Sequence, residues 1–146
     1  GVRLMARKFM IDIDGTICSL ALYEKEDGSF DNNEKKARPY KDRIAYFNNL
    51  YDEGNEIHYW TARGNSAKTF EEAREKYFLT MEQLEAWGVK YTTFEIKKPD
   101  YDVWIDDKAH NVNDYFKGLG IPKDEEMTQE DVFYMDAYDE IHNTHR

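Results

Sequence analysis

Apolar positions first gather between Phe9 and Ile13, a run that predicts a buried strand within residues 5–14. Residues 19–38 are polar and weakly periodic, and they carry Asp27-Gly28 and Asn32-Asn33, so they predict a long loop or a small hairpin flap. Behind Pro39, the residues Ile44, Phe47, Leu50 and Tyr51 recur at helical spacing up to a stop at Gly54. Glu56 to Thr61 is rich in β-formers and predicts a second strand, followed by a turn at residues 62–65. A helical region from Ser66 to Trp87 comes next. Thr80 and Gln83 fit a capping box that could divide it, and Gly88 closes it. Tyr91 to Phe94 predicts a short strand, residues 97–99 a loop, and Tyr101 to Ile105 another strand that runs into Asp106-Asp107. A helix is expected from Ala109 to Lys117, closed by Gly118. Beyond Pro122 the chain is acidic, with a short strand or helix around residues 132–141, or else an arm that packs on a neighbour. Met5 is expected as the natural start, with Gly1–Leu4 an added remnant.

This alternation of strands and helices predicts an α/β fold with an open, mostly parallel sheet, and in such sheets ligands lie outside the carboxyl ends of the strands. Asp12 and Asp14, Thr61, and Asp106 and Asp107 all fall at predicted strand ends of that kind, and Lys97 and Lys98 lie in the loop between two strands. At 146 residues the chain is long enough for one domain with a real core. Its net charge of −10 argues against a general affinity for nucleic acid, while leaving room for a small anion held by a local cluster. One cysteine, Cys18, excludes a disulfide framework and a cysteine-based zinc site. With no long apolar run and no signal-peptide pattern, a cytoplasmic protein without a membrane partner is expected.

Asp12 and Asp14 end a strand predicted to be buried, where unpartnered carboxylates are costly and repel each other. Two unit charges 4 Å apart repel by roughly 4 kcal/mol at an effective dielectric of ~20, so cations are expected beside them. Acidic groups facing each other across one edge suit Mg2+, which keeps several waters and needs only two or three protein ligands. Asp12 and Asp107 could serve by side chain and Asp14 by its main-chain carbonyl. A lysine and a hydroxyl such as that of Thr61 would complete a phosphoryl site. The plainer alternative is a strand followed by a turn in which aspartate is a turn residue or helix cap.

The ordered set Asp12-Ile13-Asp14-Gly15-Thr16, Thr61 within Tyr59-Trp60-Thr61-Ala62-Arg63, Lys98 before Pro99, and Ile105-Asp106-Asp107 resembles the haloacid dehalogenase superfamily of phosphatases over roughly residues 8–117. That resemblance implies a Rossmann-like three-layer α/β/α domain and a Mg2+-dependent phosphomonoester hydrolase working through an aspartyl-phosphate. Asp12 would be the nucleophile and Asp14 the acid and then the base. Thr61, Ala62 and Lys98 would bind phosphate, and Asp107 would join Asp12 and Asp14 at the metal with Asp106 in support. Lys97 is the rival for the lysine. The segments between the motifs are too short for a large cap domain, so the chain looks like the small capless branch. Its Thr-Ala-Arg-Gly and Lys-Pro-Asp-Tyr-Asp-Val-Trp-Ile-Asp-Asp-Lys segments are similar to phosphatases found beside capsule and surface-sugar pathways.

A small phosphorylated metabolite such as a sugar phosphate is the expected substrate, covered by residues 19–38 or by a second copy of the chain in a homo-oligomer. A phosphoprotein or a polynucleotide 3′ end is the alternative for an open site. Rivals from other classes are a receiver-like phosphate-accepting module, in which the motifs would run in a different order, and an inactive binding protein. Arg63 is open between a substrate contact and a pairing with surface carboxylates. His58 and the tryptophans Trp60, Trp87 and Trp104 read as core or sheet-face residues. His110 reads as a helix cap or a neighbour of Asp107, and Cys18 as a small buried hydrophobe.

Overall fold

The first strand, β1 (Lys8–Ile11), buries Ile11 and half-buries Phe9 but leaves Lys8 and Met10 in solvent. The apolar run is therefore a one-faced strand with period-two alternation rather than one buried on both sides, because nothing among the described residues covers the face that carries Lys8 and Met10. The computed structural model describes residues 5–121 and 123; the expectations for Gly1–Leu4 and for the acidic tail lie outside the described residues. β1 pairs in parallel with β4 (Glu56–Trp60), and β4 pairs in parallel with β5 (Thr93–Glu95), giving a three-stranded sheet in the order β1-β4-β5. Residues 19–38 contain a separate two-stranded antiparallel ribbon, β2 (Leu22–Glu24) against β3 (Phe30–Asn32), followed by a single 3-10 turn at Glu34–Lys36. The fold is thus a small mixed α/β domain with one parallel and one antiparallel sheet, and the hairpin alternative for residues 19–38 is the one realised.

Helix α1 (Lys41–Asp52) turns Ile44 and Phe47 into the core, as its spacing predicts, together with Arg43. Helix α2 (Phe70–Ala86) runs unbroken. Its N-terminal cap is Thr69, whose hydroxyl accepts from the Glu72 amide, while the Glu72 carboxylate accepts from the Lys68 amide. The division expected at Thr80 does not occur. Thr80 is fully buried in the middle of the helix and donates its hydroxyl to the Lys76 carbonyl at 2.8 Å. Helix α3 (Val112–Leu119) is capped by the Asn111 side chain, and it passes through Gly118 to end at Gly120.

The main departure concerns residues 101–105. They form no strand, and every residue from Tyr101 to His110 is exposed. Strand-forming side chains need a partner edge and a covered face, and this segment has neither among the described residues. The core consists of Ile57, Tyr59, Phe94, Ile44, Phe47, Leu84 and Phe116, joined by Ile13, Ile17 and Cys18 from the loop after β1. Burying those last three fastens the acidic loop to the sheet. No helix among the described residues is long and apolar enough to cross a membrane.

Candidate active site

Parallel strands point their carboxyl ends the same way, and here each end delivers a polar residue. Asp12 directly follows β1, Thr61 directly follows β4, and Lys98 follows β5 after a short loop. The loop after β1 turns through Gly15 at φ +83°, a left-handed conformation that suits glycine, and the Thr16 and Ile17 amides donate back to the Ile13 carbonyl. Buried Arg43 holds the same loop from below by donating to the Thr16 carbonyl at 3.0 Å and to Asn113 Oδ1 at 3.2 Å. Nothing in the spacing of α1 marks Arg43 for this task, since it occupies a position on the helix's buried side.

Lys98 Nζ lies 3.7 Å from Asp12 Oδ1, and the Thr16 hydroxyl donates to Asp12 Oδ2 at 3.3 Å. Of the two adjacent lysines, Lys97 is exposed and Lys98 is the one that reaches the carboxylate. Burial pushes the Asp12 carboxyl above its ordinary range; Lys98 works against that rise and the neighbouring Asp14 adds to it. Asp14 is held differently. Arg63 donates to both its oxygens, from Nε at 2.9 Å and from a terminal nitrogen at 2.8 Å, and the Thr61 hydroxyl adds a bond at 3.3 Å. Burial works against the charge on Arg63, but its bonds to Asp14 outweigh burial and raise its pKa. The other terminal nitrogen of Arg63 donates to Thr80 Oγ1 at 3.2 Å and to Gln83 Oε1 at 2.6 Å.

Arg63 is therefore a buried anchor of Asp14 rather than a side chain paired with surface carboxylates. Thr80 and Gln83, which the sequence presents as a capping box, are its partners. Two polar residues three apart on the buried side of a helix are a signal that could have found them. The Thr61 hydroxyl is also engaged inside the protein, with Asp14 and with the Arg63 amide at 3.3 Å. Cys18 is buried, and burial followed by the charge of Asp14 raises its thiol pKa, which disfavours the reactive thiolate.

These groups open onto a cavity of about 410 Å3 lined by Asp12, Asp14, Thr61, Ala62, Arg63, Asn65 and Ser66. Asp31 and Glu34 from the hairpin segment and Asp100 from the loop after β5 complete its wall, three acidic contributions that no motif announces. Asn65 ties the two loops together by donating to the Lys98 carbonyl and to Asp100. The turn between them is tight. A Cβ on Gly64 would fall 2.7 Å from the Ile96 carbonyl oxygen, to which the Gly64 amide already donates. Gly64→Ala is expected to lower stability by about 1–3 kcal/mol, read as a reduced urea midpoint, because backbone cannot give way as a side-chain tip can.

Asp106 and Asp107 are not part of this wall. With no strand at residues 101–105 to carry them, both are exposed, and Asp106 accepts instead from the Lys108 amide and the Trp104 indole. Among the described residues no three acidic, histidine or cysteine side chains gather as a metal site. Of the ligand set that the resemblance implies, Asp12 and Asp14 line the cavity and Asp107 does not. His110 is exposed and packs on Tyr115, and His58 sits in the sheet bonded to Thr93 and Glu56; neither enters the cavity. Comparison of the chain with protein-family models, with curated proteins and with solved structures finds no match in any of the three.

Proposed function

We propose that this protein is a phosphomonoester hydrolase of haloacid dehalogenase type, with a Rossmann-like core and Asp12 as its nucleophile. The observation that carries the proposal is the convergence of Asp12, Thr61 and Lys98 at the carboxyl ends of three adjacent parallel strands, beside Asp14 and one open cavity. Separate stretches of chain supply a carboxylate, a second carboxylate, a hydroxyl and a lysine in that order, which is the set a phosphoryl-transfer site needs.

In the proposed reaction an Asp12 oxygen attacks phosphorus and the bond to the leaving oxygen breaks, with that oxygen taking a proton from Asp14. Asp14 then takes a proton from water as the water oxygen attacks phosphorus, the aspartyl bond breaks, and phosphate and free Asp12 result. Lys98 would offset the approach of one anion to another, and Thr61 and the Ala62 amide would bind the phosphoryl oxygens, the Arg63, Gly64 and Asn65 amides being bonded within the protein. Mg2+ belongs to the proposal as the charge such an acidic cavity lacks. Asp12 would hold it together with the Asp14 carbonyl, and Asp107 is not among the residues that line the cavity.

The cavity has the size of a small-molecule site. Its acidic wall of Asp31, Glu34 and Asp100, added to a net charge of −10, disfavours a polyanionic chain and favours a small, hydroxyl-rich phosphate ester such as a sugar phosphate. A panel of phosphorylated metabolites assayed for phosphate release, with and without Mg2+, tests this. Release from small sugar phosphates that stops on chelation is expected. Inertness toward every phosphomonoester would remove the proposal, and a long-lived phosphorylated Asp12 would replace it with a phosphate-accepting module.

A further inference from the structure

The two faces of the Arg63 guanidinium do different things. One grips Asp14; the other grips Gln83 in the last turn of α2. Gln83 is itself two-sided, since its Oε1 accepts from Arg63 while its Nε2 donates to the Glu34 carbonyl at 2.6 Å. Glu34 begins the 3-10 turn that follows the β2-β3 hairpin, and its carboxylate is also held by α2, through Lys76 at 2.9 Å. An unbroken line of charge-assisted and amide hydrogen bonds thus runs from Asp14 through Arg63 and Gln83 to the hairpin segment. Its ends, Asp14 and Glu34, meet again across the cavity they both line.

From this geometry we infer that Gln83 is a positioning residue that couples the seating of the hairpin segment to the orientation of Asp14. An amide is suited to the task because it accepts on one side and donates on the other, so its plane cannot satisfy Arg63 without also addressing the Glu34 carbonyl. In a partly buried setting each bond lost leaves a partner unsatisfied, so the line favours being wholly made or wholly broken. A substrate that displaces the hairpin segment would release Gln83, loosen Arg63 and free an Asp14 oxygen to face the leaving group. That last consequence rests on the phosphatase proposal; the coupling itself does not.

The coupling is measured without activity by hydrogen exchange at the Asn33, Lys36 and Ala37 amides, which are bonded to the carbonyls of Ala21, Asn33 and Glu34. Asp14→Asn, which weakens the grip on Arg63, is expected to speed exchange at these amides by about tenfold. In a Gln83→Met background exchange is already fast, and Asp14→Asn is expected to add less than about twofold. Equal acceleration in both backgrounds, or none in the first, would overturn the coupling. Where Asp14→Asn does not fold, Lys76→Met serves as the second arm. It frees the other hold on Glu34 and is expected to shift the Arg63 Nε–H resonance only when Gln83 is present; a shift without Gln83, or none with it, counts against the coupling.

Catalysis supplies an independent readout. In single-turnover measurements of phosphoryl transfer to Asp12, the step before Asp14 acts as base, Gln83→Met is expected to slow an alkyl phosphate about tenfold, as befits a misplaced general acid, and a nitrophenyl phosphate, whose leaving group needs no proton, less than about threefold. Equal losses for both esters would show a merely structural role. Wild-type protein inert to both would refute the phosphatase proposal alone, with the exchange cycle still deciding the coupling.

Discussion

Asp12→Asn is expected to lower phosphomonoester turnover by roughly ten-thousandfold or more, because an amide oxygen cannot displace the leaving group from phosphorus. KM is expected to change far less, since Lys98 and the residue 62–65 turn remain. The same substitution is expected to raise stability. Burial holds the Asp12 carboxyl above its ordinary range, so ionising it costs more in the folded chain than in the unfolded one. The stability that Asp12 contributes is thus fully present only below its unfolded pKa and is lost as pH rises through the raised folded value. The advantage of asparagine is accordingly expected at neutral pH and should fade as pH falls into the acid range. Urea midpoints of the two proteins at pH 7 and at pH 3 check the sign. A variant that is both inactive and less stable at pH 7 would point to a structural role for Asp12.

Arg63→Met is expected to cost about 3–5 kcal/mol, a large part of the stability of a domain this size. The substitution fills much of the volume but strips both oxygens of Asp14 of their guanidinium and leaves Thr80 and Gln83 without a donor. The Arg63 side chain is 1% exposed and that of Asp14 15%, so water cannot readily replace what is lost. Arg63→Lys keeps a charge but cannot span two carboxylate oxygens and two further acceptors at once, so it should recover only part of the loss. Removing the orphaned charge as well, in Arg63→Met/Asp14→Leu, should restore more stability than Arg63→Lys does while abolishing activity. Urea unfolding of the three variants at unchanged m value measures the order.

The residues that begin the site were legible because they lie at strand ends, and a strand end is a local property. Phe9 to Ile13 and Glu56 to Trp60 announce their strands by composition, so Asp12 and Thr61 come with them. Lys98 over Lys97 needed the structure, since the two differ only in which way the loop turns. Asp107 lies outside the cavity wall for a physical reason. Tyr101 to Ile105 has the side chains of a strand, but strand formation depends on a partner edge elsewhere in the chain, and none takes it up among the described residues. Arg63, Thr80 and Gln83 were hidden differently. Their pairing joins a turn to the C-terminal half of a helix, and the local pattern at Thr80-Gln83 matched a cap when the cap was Thr69 and Glu72. The acidic wall of Asp31, Glu34 and Asp100 arises only once the hairpin segment and the loop after β5 come to the same cavity.

The central claim is that a phosphoryl group passes through Asp12. Rapid acid quenching of the protein during turnover of a phosphomonoester, followed by peptide mass analysis, tests it most directly. A phosphate adduct on Asp12 that forms and decays within the turnover time, and that is missing from Asp12→Asn, is the result this account predicts. Full turnover with no adduct on Asp12, or an adduct on another residue, would contradict it.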